Sequence, residues 1–142
     1  MPELTPELGW LVAVLILNLG LLALVLLLQP LVRDLTLGFA YTISNFDERR
    51  EESKLGRRLA MVKDNQIEAL MLFAPLVLIG WLSALSHPHL SLIASVFLAA
   101  RLAYAVISAA GIPLLRSAAW TVGFAATLYL GWIVWSGIGG AV

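Results

Sequence analysis

The chain has 142 residues, 61% hydrophobic and only 13% charged, against roughly 45–50% and about 25% in soluble domains. Nine basic and nine acidic side chains cancel, so a nucleic-acid partner is not indicated. There is no cysteine, and the only two histidines are His87 and His89. A disulfide framework, a thiolate metal site and a cysteine nucleophile are excluded, and no third ligand lies near the two histidines to build a metal site. The composition points to an all-α integral membrane protein, a bundle of four spans.

The first apolar run, residues 8–28, is uncharged and long enough to cross the ~30 Å hydrocarbon core at ~1.5 Å per residue. Glu3 and Glu7 stand where a cleaved leader would carry basic residues, and Gln29-Pro30 follows the run, so a retained helix is expected. Pro6 suits a first helical turn. Asn18 is the single interior polar residue, and a lone amide inside a span is expected to hydrogen-bond to another helix. A long connection, about 32–51, contains Asp47-Glu48-Arg49-Arg50-Glu51-Glu52, read as a solvated helix start. The helix that follows begins near Glu52, and its embedded part covers 65–85. Pro75 lies inside it, where freed carbonyls can be re-satisfied within a bundle.

A tight turn, Ser86-His87-Pro88-His89, leads to a third span at 90–110. Gly111-Ile112-Pro113 then turns the chain into a fourth at 114–137, which should lie antiparallel to the third. Ala119, Gly123, Thr127 and Gly131 recur every four residues, a small-residue stripe that permits close helix approach. Seven of the nine basic residues (Arg33, Arg49, Arg50, Lys54, Arg57, Arg58 and Lys63) fall between the first span and the core of the second. The positive-inside rule therefore puts this loop in the cytoplasm and both termini outside. Trp10, Trp81, Trp132 and Trp135 would then form the outer aromatic belt and Trp120 part of the inner one.

Two ionisable residues, Glu68 and Arg101, fall at membrane depth, where such groups face protein or water. A carboxylate there needs a cation, so a Glu68–Arg101 contact is expected. Spacing groups Arg58, Met61, Asn65 and Glu68 on one helical face, and Arg101, Tyr104 and Ser108 on another. Arg116 lies beyond, at the cytoplasmic mouth. Guanidinium forks grip carboxylates and Glu68 matches an amine, so the set suits a small zwitterion.

The stretch Gly56-Arg57-Arg58…Met61…Asn65-Gln66-Ile67-Glu68…Phe73-Ala74, followed by Ala100-Arg101…Tyr104…Ser108 and Arg116-Ser117…Trp120, resembles the MAPEG family. These are the membrane-associated proteins of eicosanoid and glutathione metabolism, and the resemblance is to the bacterial members in particular. The resemblance runs in register over about residues 50–135; the first helix matches only as a span. It implies a homotrimer in a bacterial inner membrane, with glutathione bound between subunits near the cytoplasmic side. It also implies glutathione contacts for Asn65, Glu68, Arg101 and Tyr104, and a catalytic role for Arg116 in stabilising the glutathione thiolate; Arg57, Arg58 or Lys63 is expected to stand in for a cation that the family has and this chain lacks, and Arg58 is placed with the glutathione-binding residues. The family commonly has an arginine at the position of Met61 and a tyrosine at that of Ser108. The leading expectation is a glutathione-dependent transferase or peroxidase acting on lipophilic electrophiles. The alternative is a non-catalytic relative that binds a lipid or serves as an accessory subunit of a larger membrane complex. A small proton-coupled exporter is disfavoured, since the first span has no carboxylate.

Overall fold

In the computed structural model, residues 5–139 are described; Glu3 lies outside them. Among these residues there are four long helices and one single-turn helix: α1 (Pro6–Leu37), α2 (Phe39–Thr42), α3 (Lys54–Leu82), α4 (Leu90–Ala110) and α5 (Pro113–Gly139). Thr5 caps α1 by accepting from the Leu8 N–H at 3.3 Å, with Pro6 in the first turn. Ser53 caps α3 in the same way through the Gly56 N–H at 3.1 Å, since a hydroxyl at this position satisfies a donor that the helix leaves free.

The connection after α1 is shorter than the sequence suggests. Residues 32–37, expected in the loop, continue α1 through Pro30. Proline removes one N–H, but the turns beyond it are held from outside: Arg33 places Nη2 at 2.6 Å and Nε at 2.9 Å from one Glu52 carboxylate oxygen. Thr36 also bonds the Val32 carbonyl at 2.8 Å. α3 likewise runs through Pro75 without interruption.

α4 is the central helix, touching α1, α3 and α5, while α1 packs on α3 and α5 makes a lesser contact with α3. Because α4 and α5 are joined by a two-residue turn, they lie antiparallel along most of their length. At Gly123 the two helices are near enough that an added Cβ would make ordinary van der Waals contact with Ala100 Cβ at 3.4 Å and Arg101 Cδ at 3.6 Å. The core is apolar and includes Leu11, Val14, Leu70, Val77, Ile93 and Leu130, with Phe73 and Phe97 stacked 3.8 Å apart between α3 and α4. Outside, large apolar side chains such as Leu27, Leu82 and Leu114 are exposed. All four long helices are long and apolar enough to cross a membrane. The fold is an integral membrane four-helix bundle.

One end of the bundle collects the α2 loop, the start of α3 and the α4–α5 turn, and it is the charged end. There Gly111 ends α4 at φ +84, ψ 36, and its N–H returns to Ile107 and Ser108 carbonyls at 2.9 and 3.0 Å. Arg58 packs directly over this glycine and donates from Nη1 to the Ala109 carbonyl at 3.1 Å. A Cβ at position 111 would land within the Arg58 guanidinium, in a backbone region that a side chain already disfavours by about 1–2 kcal/mol. Gly111→Ala should lower the thermal midpoint of the detergent-solubilised protein, with Arg58→Ala recovering part of the loss in the double variant.

Candidate functional site

Three buried stripes line the inside of the bundle, and each carries a polar residue within its apolar run, that of α4 having a second, Ser108, at its end. On α1 the stripe Leu8, Leu11, Leu15 carries Asn18; on α3 Leu59, Val62, Leu70 and Phe73 flank Gln66; on α4 Ile93, Phe97 and Tyr104 flank Arg101. Asn18, Gln66 and Arg101 are 0, 1 and 2% exposed. They meet. The Gln66 side-chain amide donates to Asn18 Oδ1 at 3.1 Å and to the Asn18 carbonyl at 3.2 Å, while its oxygen accepts from Arg101 Nε at 2.9 Å. Asn18 closes the chain by donating to the Val14 carbonyl at 2.9 Å. Arg101 Nη2 donates to Asn65 Oδ1 at 2.8 Å, and its guanidinium carbon lies 4.9 Å from the Tyr104 ring centre.

The expected Glu68–Arg101 ion pair is not formed: among the described residues no carboxylate lies within 4.0 Å of Arg101. Helical phase is the reason. At ~100° per residue, Glu68 is about 200° around α3 from Gln66, so the amide faces α4 and the carboxylate faces outward. Gln66 is the functional residue missed in the sequence, although its place within an apolar stripe spaced by threes and fours could have revealed it.

Arg101 and Glu68 nevertheless line the same recess, together with Asn65 and Trp120. Its floor is the small-residue stripe at Gly123 and Thr127. The recess holds only about 80 Å³, well under the ~300 Å³ of a typical ligand site. On the far side of Trp120 a second recess of about 420 Å³ is lined by Met61, Tyr104 and Arg116. Toward the other side an apolar groove of about 680 Å³ shares Leu72, Phe124 and Thr127 with the first and continues past Pro75 to Gly131. The first recess thus shares Trp120 with the second, and Leu72, Phe124 and Thr127 with the apolar groove between α3 and α5.

Of the residues singled out in the sequence, Asn65, Glu68, Arg101, Tyr104 and Arg116 come together around Trp120. Arg58 lines neither recess; its guanidinium is engaged at the end of α4. Arg116 is half-buried and its Nη1 lies 2.8 Å from the Met61 sulfur. Ser108, at the position where the family commonly has a tyrosine, is buried, and its hydroxyl oxygen has no hydrogen-bond partner among the described residues. His89 Nδ1 shares a hydrogen bond with the Tyr129 hydroxyl at 2.6 Å, and neither residue lines the recesses. Among the described residues no cluster of metal-ligating side chains occurs.

The family model described as MAPEG family matches residues 8–135, from the start of α1 to near the end of α5. The chain belongs to the MAPEG family. The match includes α1, which the motifs alone recognised only as a span. No curated protein counts as a match to the chain. Membership places this MAPEG chain among the membrane proteins of glutathione and eicosanoid metabolism.

Proposed function

We propose that this MAPEG chain is a glutathione-dependent transferase or peroxidase acting on lipophilic electrophiles that enter from the bilayer. The observation that carries the reading is the state of Arg101. Its guanidinium is buried, its hydrogen-bonding partners are the neutral amides of Asn65 and Gln66, and it lines a recess with Glu68 on the rim. A buried cation held only by neutral groups keeps its net charge for an incoming anion. The donor set fits glutathione, which carries two carboxylates and one ammonium: Arg101 and Asn65 grip a carboxylate, Glu68 pairs with the amine, and Tyr104 walls the site. Glutathione supplies the sulfur nucleophile that a cysteine-free chain lacks. Arg116, across Trp120, is the cation for that sulfur. Because the first recess is small, the tripeptide would extend into the second, and a neighbouring subunit of a homotrimer would complete its outer wall. The apolar groove along Leu72, Phe124 and Leu128 takes the electrophile. With the arginine-rich loop on the cytoplasmic side and both termini outside, the site opens to the cytoplasmic pool of glutathione.

Titration calorimetry of the detergent-purified protein with glutathione tests this directly. Saturable binding in the millimolar range or tighter, lost in Arg101→Ala and weakened in Glu68→Ala, is the expected result. A second reading, a non-catalytic relative binding a lipid or joining a larger complex, is favoured by one contact: Arg116 bonds the Met61 thioether, where a cation was anticipated from the resemblance. Absence of glutathione binding by the unmodified protein would select it.

A further inference from the structure

The charged end of the bundle carries a surface that neither recess uses. On α1, Leu24, Leu27, Leu31 and Leu35 are exposed at steps of three and four residues, so they form one stripe along the helix. Its first part is an ordinary lipid-facing side of a span. The rest is not, because residues 8–28 already cover about 30 Å at 1.5 Å per residue, the whole hydrocarbon thickness. Leu35 stands about 10 Å further along the axis on the same rise, and yet 79% of it is exposed.

The apolar surface continues beyond the helix. At Gly38 (φ +90, ψ 150) the chain leaves the α1 axis, and the single turn of α2 then exposes Phe39 by 66% and Ile43 by 67%. These two lie one turn apart on a common face. The other face of α2 is tied to its own loop. The Tyr41 ring meets Phe46 edge-on at 5.4 Å, and its hydroxyl accepts from the Arg50 N–H at 3.2 Å. The Arg50 guanidinium lies over the Tyr41 ring at 5.2 Å, and Arg33 lies over Phe46 at 5.1 Å. α2 is therefore fixed with its apolar side outward and its arginine-clamped side inward, the division found in elements that lie in a membrane interface.

We infer that Leu35, Phe39 and Ile43 form an interfacial anchor seated among the lipid headgroups and upper acyl chains, with Gly38 redirecting the chain along the membrane surface. Lipid is the occupant because the patch continues the lipid-facing stripe of α1 without a break. Exposed Arg49 and Lys54 follow it in the chain, available to anionic phosphates.

The natural absence of cysteine makes a clean test available. Leu24→Cys, Phe39→Cys, Ile43→Cys and Glu48→Cys would each carry a nitroxide in the full-length protein, reconstituted in vesicles of phosphatidylcholine and phosphatidylglycerol. Collision rates with oxygen and with a water-soluble nickel chelate are then compared. At 39 and 43 oxygen should exceed the chelate, to a degree between the lipid control at 24 and the water control at 48. Chelate collisions dominating at 39 and 43, as at 48, would overturn the anchor. So would low rates for both reagents, the mark of a face covered by protein such as a second copy of the chain.

Discussion

Gln66→Leu should destabilise the bundle by about 3 kcal/mol, because it leaves a buried guanidinium short of a partner. Leucine fills a similar volume, so the loss is electrostatic rather than a cavity effect. Three hydrogen bonds disappear together, two to Asn18 and one to Arg101. Ordinary interhelical hydrogen bonds in membranes average only about 0.6 kcal/mol; the larger figure arises because one of the groups left behind is charged. Denaturation by SDS in mixed micelles measures it. Gln66→Leu combined with Arg101→Leu should be more stable than the sum of the single losses implies, since the orphaned charge is then gone. Gln66→Glu should be milder than Gln66→Leu, keeping an acceptor for Arg101 Nε while losing the donor to Asn18. Equal and additive losses across the series would mean that the three residues do not act as one network.

Glu68→Gln should behave in the opposite way to Gln66→Leu. The carboxylate makes no ion pair among the described residues, so Glu68→Gln breaks none within the subunit and removes a charge at membrane depth, where charges are costly; stability should not fall. Sequence alone suggested a Glu68–Arg101 contact. The two residues are both ionisable and both deep, and composition offers no other carboxylate at that level. What decides the pairing is helical phase, and phase is legible only when neutral residues are read alongside charged ones. Gln66 occupies the buried stripe that Leu59, Val62, Leu70 and Phe73 define, and a glutamine there is as informative as a charge.

The spans themselves were legible because their signal is long and redundant: each apolar run must cover the same thickness, and Gly111-Ile112-Pro113 stops one helix where the next begins. The end of α1 was not. Pro30 and the polar residues after it look like a boundary, whereas the pairing of Arg33 with Glu52, nineteen residues away, holds the helix to Leu37. Such a contact has no local signature. Likewise the grouping of Arg58 with Asn65 on one face was a correct statement about periodicity, but periodicity does not say that the end of α4 lies within reach of that guanidinium. The clustering of Asn65, Glu68, Arg101, Tyr104 and Arg116 around Trp120 followed from antiparallel register, which is why it could be anticipated.

On the proposed function, Arg116→Ala should lower turnover with a model electrophile by about 10²-fold, the size found for losing one charge-stabilising donor, while leaving glutathione affinity nearly unchanged. That division is expected because Arg116 stands across Trp120 from the recess of Arg101 and Asn65, so it meets the sulfur end of the tripeptide and not its gripped carboxylate. A thiol has a pKa of about 8.5 and is mostly protonated at neutral pH. A neighbouring guanidinium favours the thiolate, so it lowers that pKa; removing the guanidinium raises it again. The rising limb of the pH–rate profile should therefore move to higher pH in Arg116→Ala. The ultraviolet absorbance of bound thiolate at neutral pH should fall in parallel. Arg116→Lys, which keeps a charge but not the planar fork, should recover part of both. Loss of turnover with an unshifted pH profile and unchanged thiolate absorbance would show that Arg116 merely supports the fold beside Met61, and the sulfur would then need another cation.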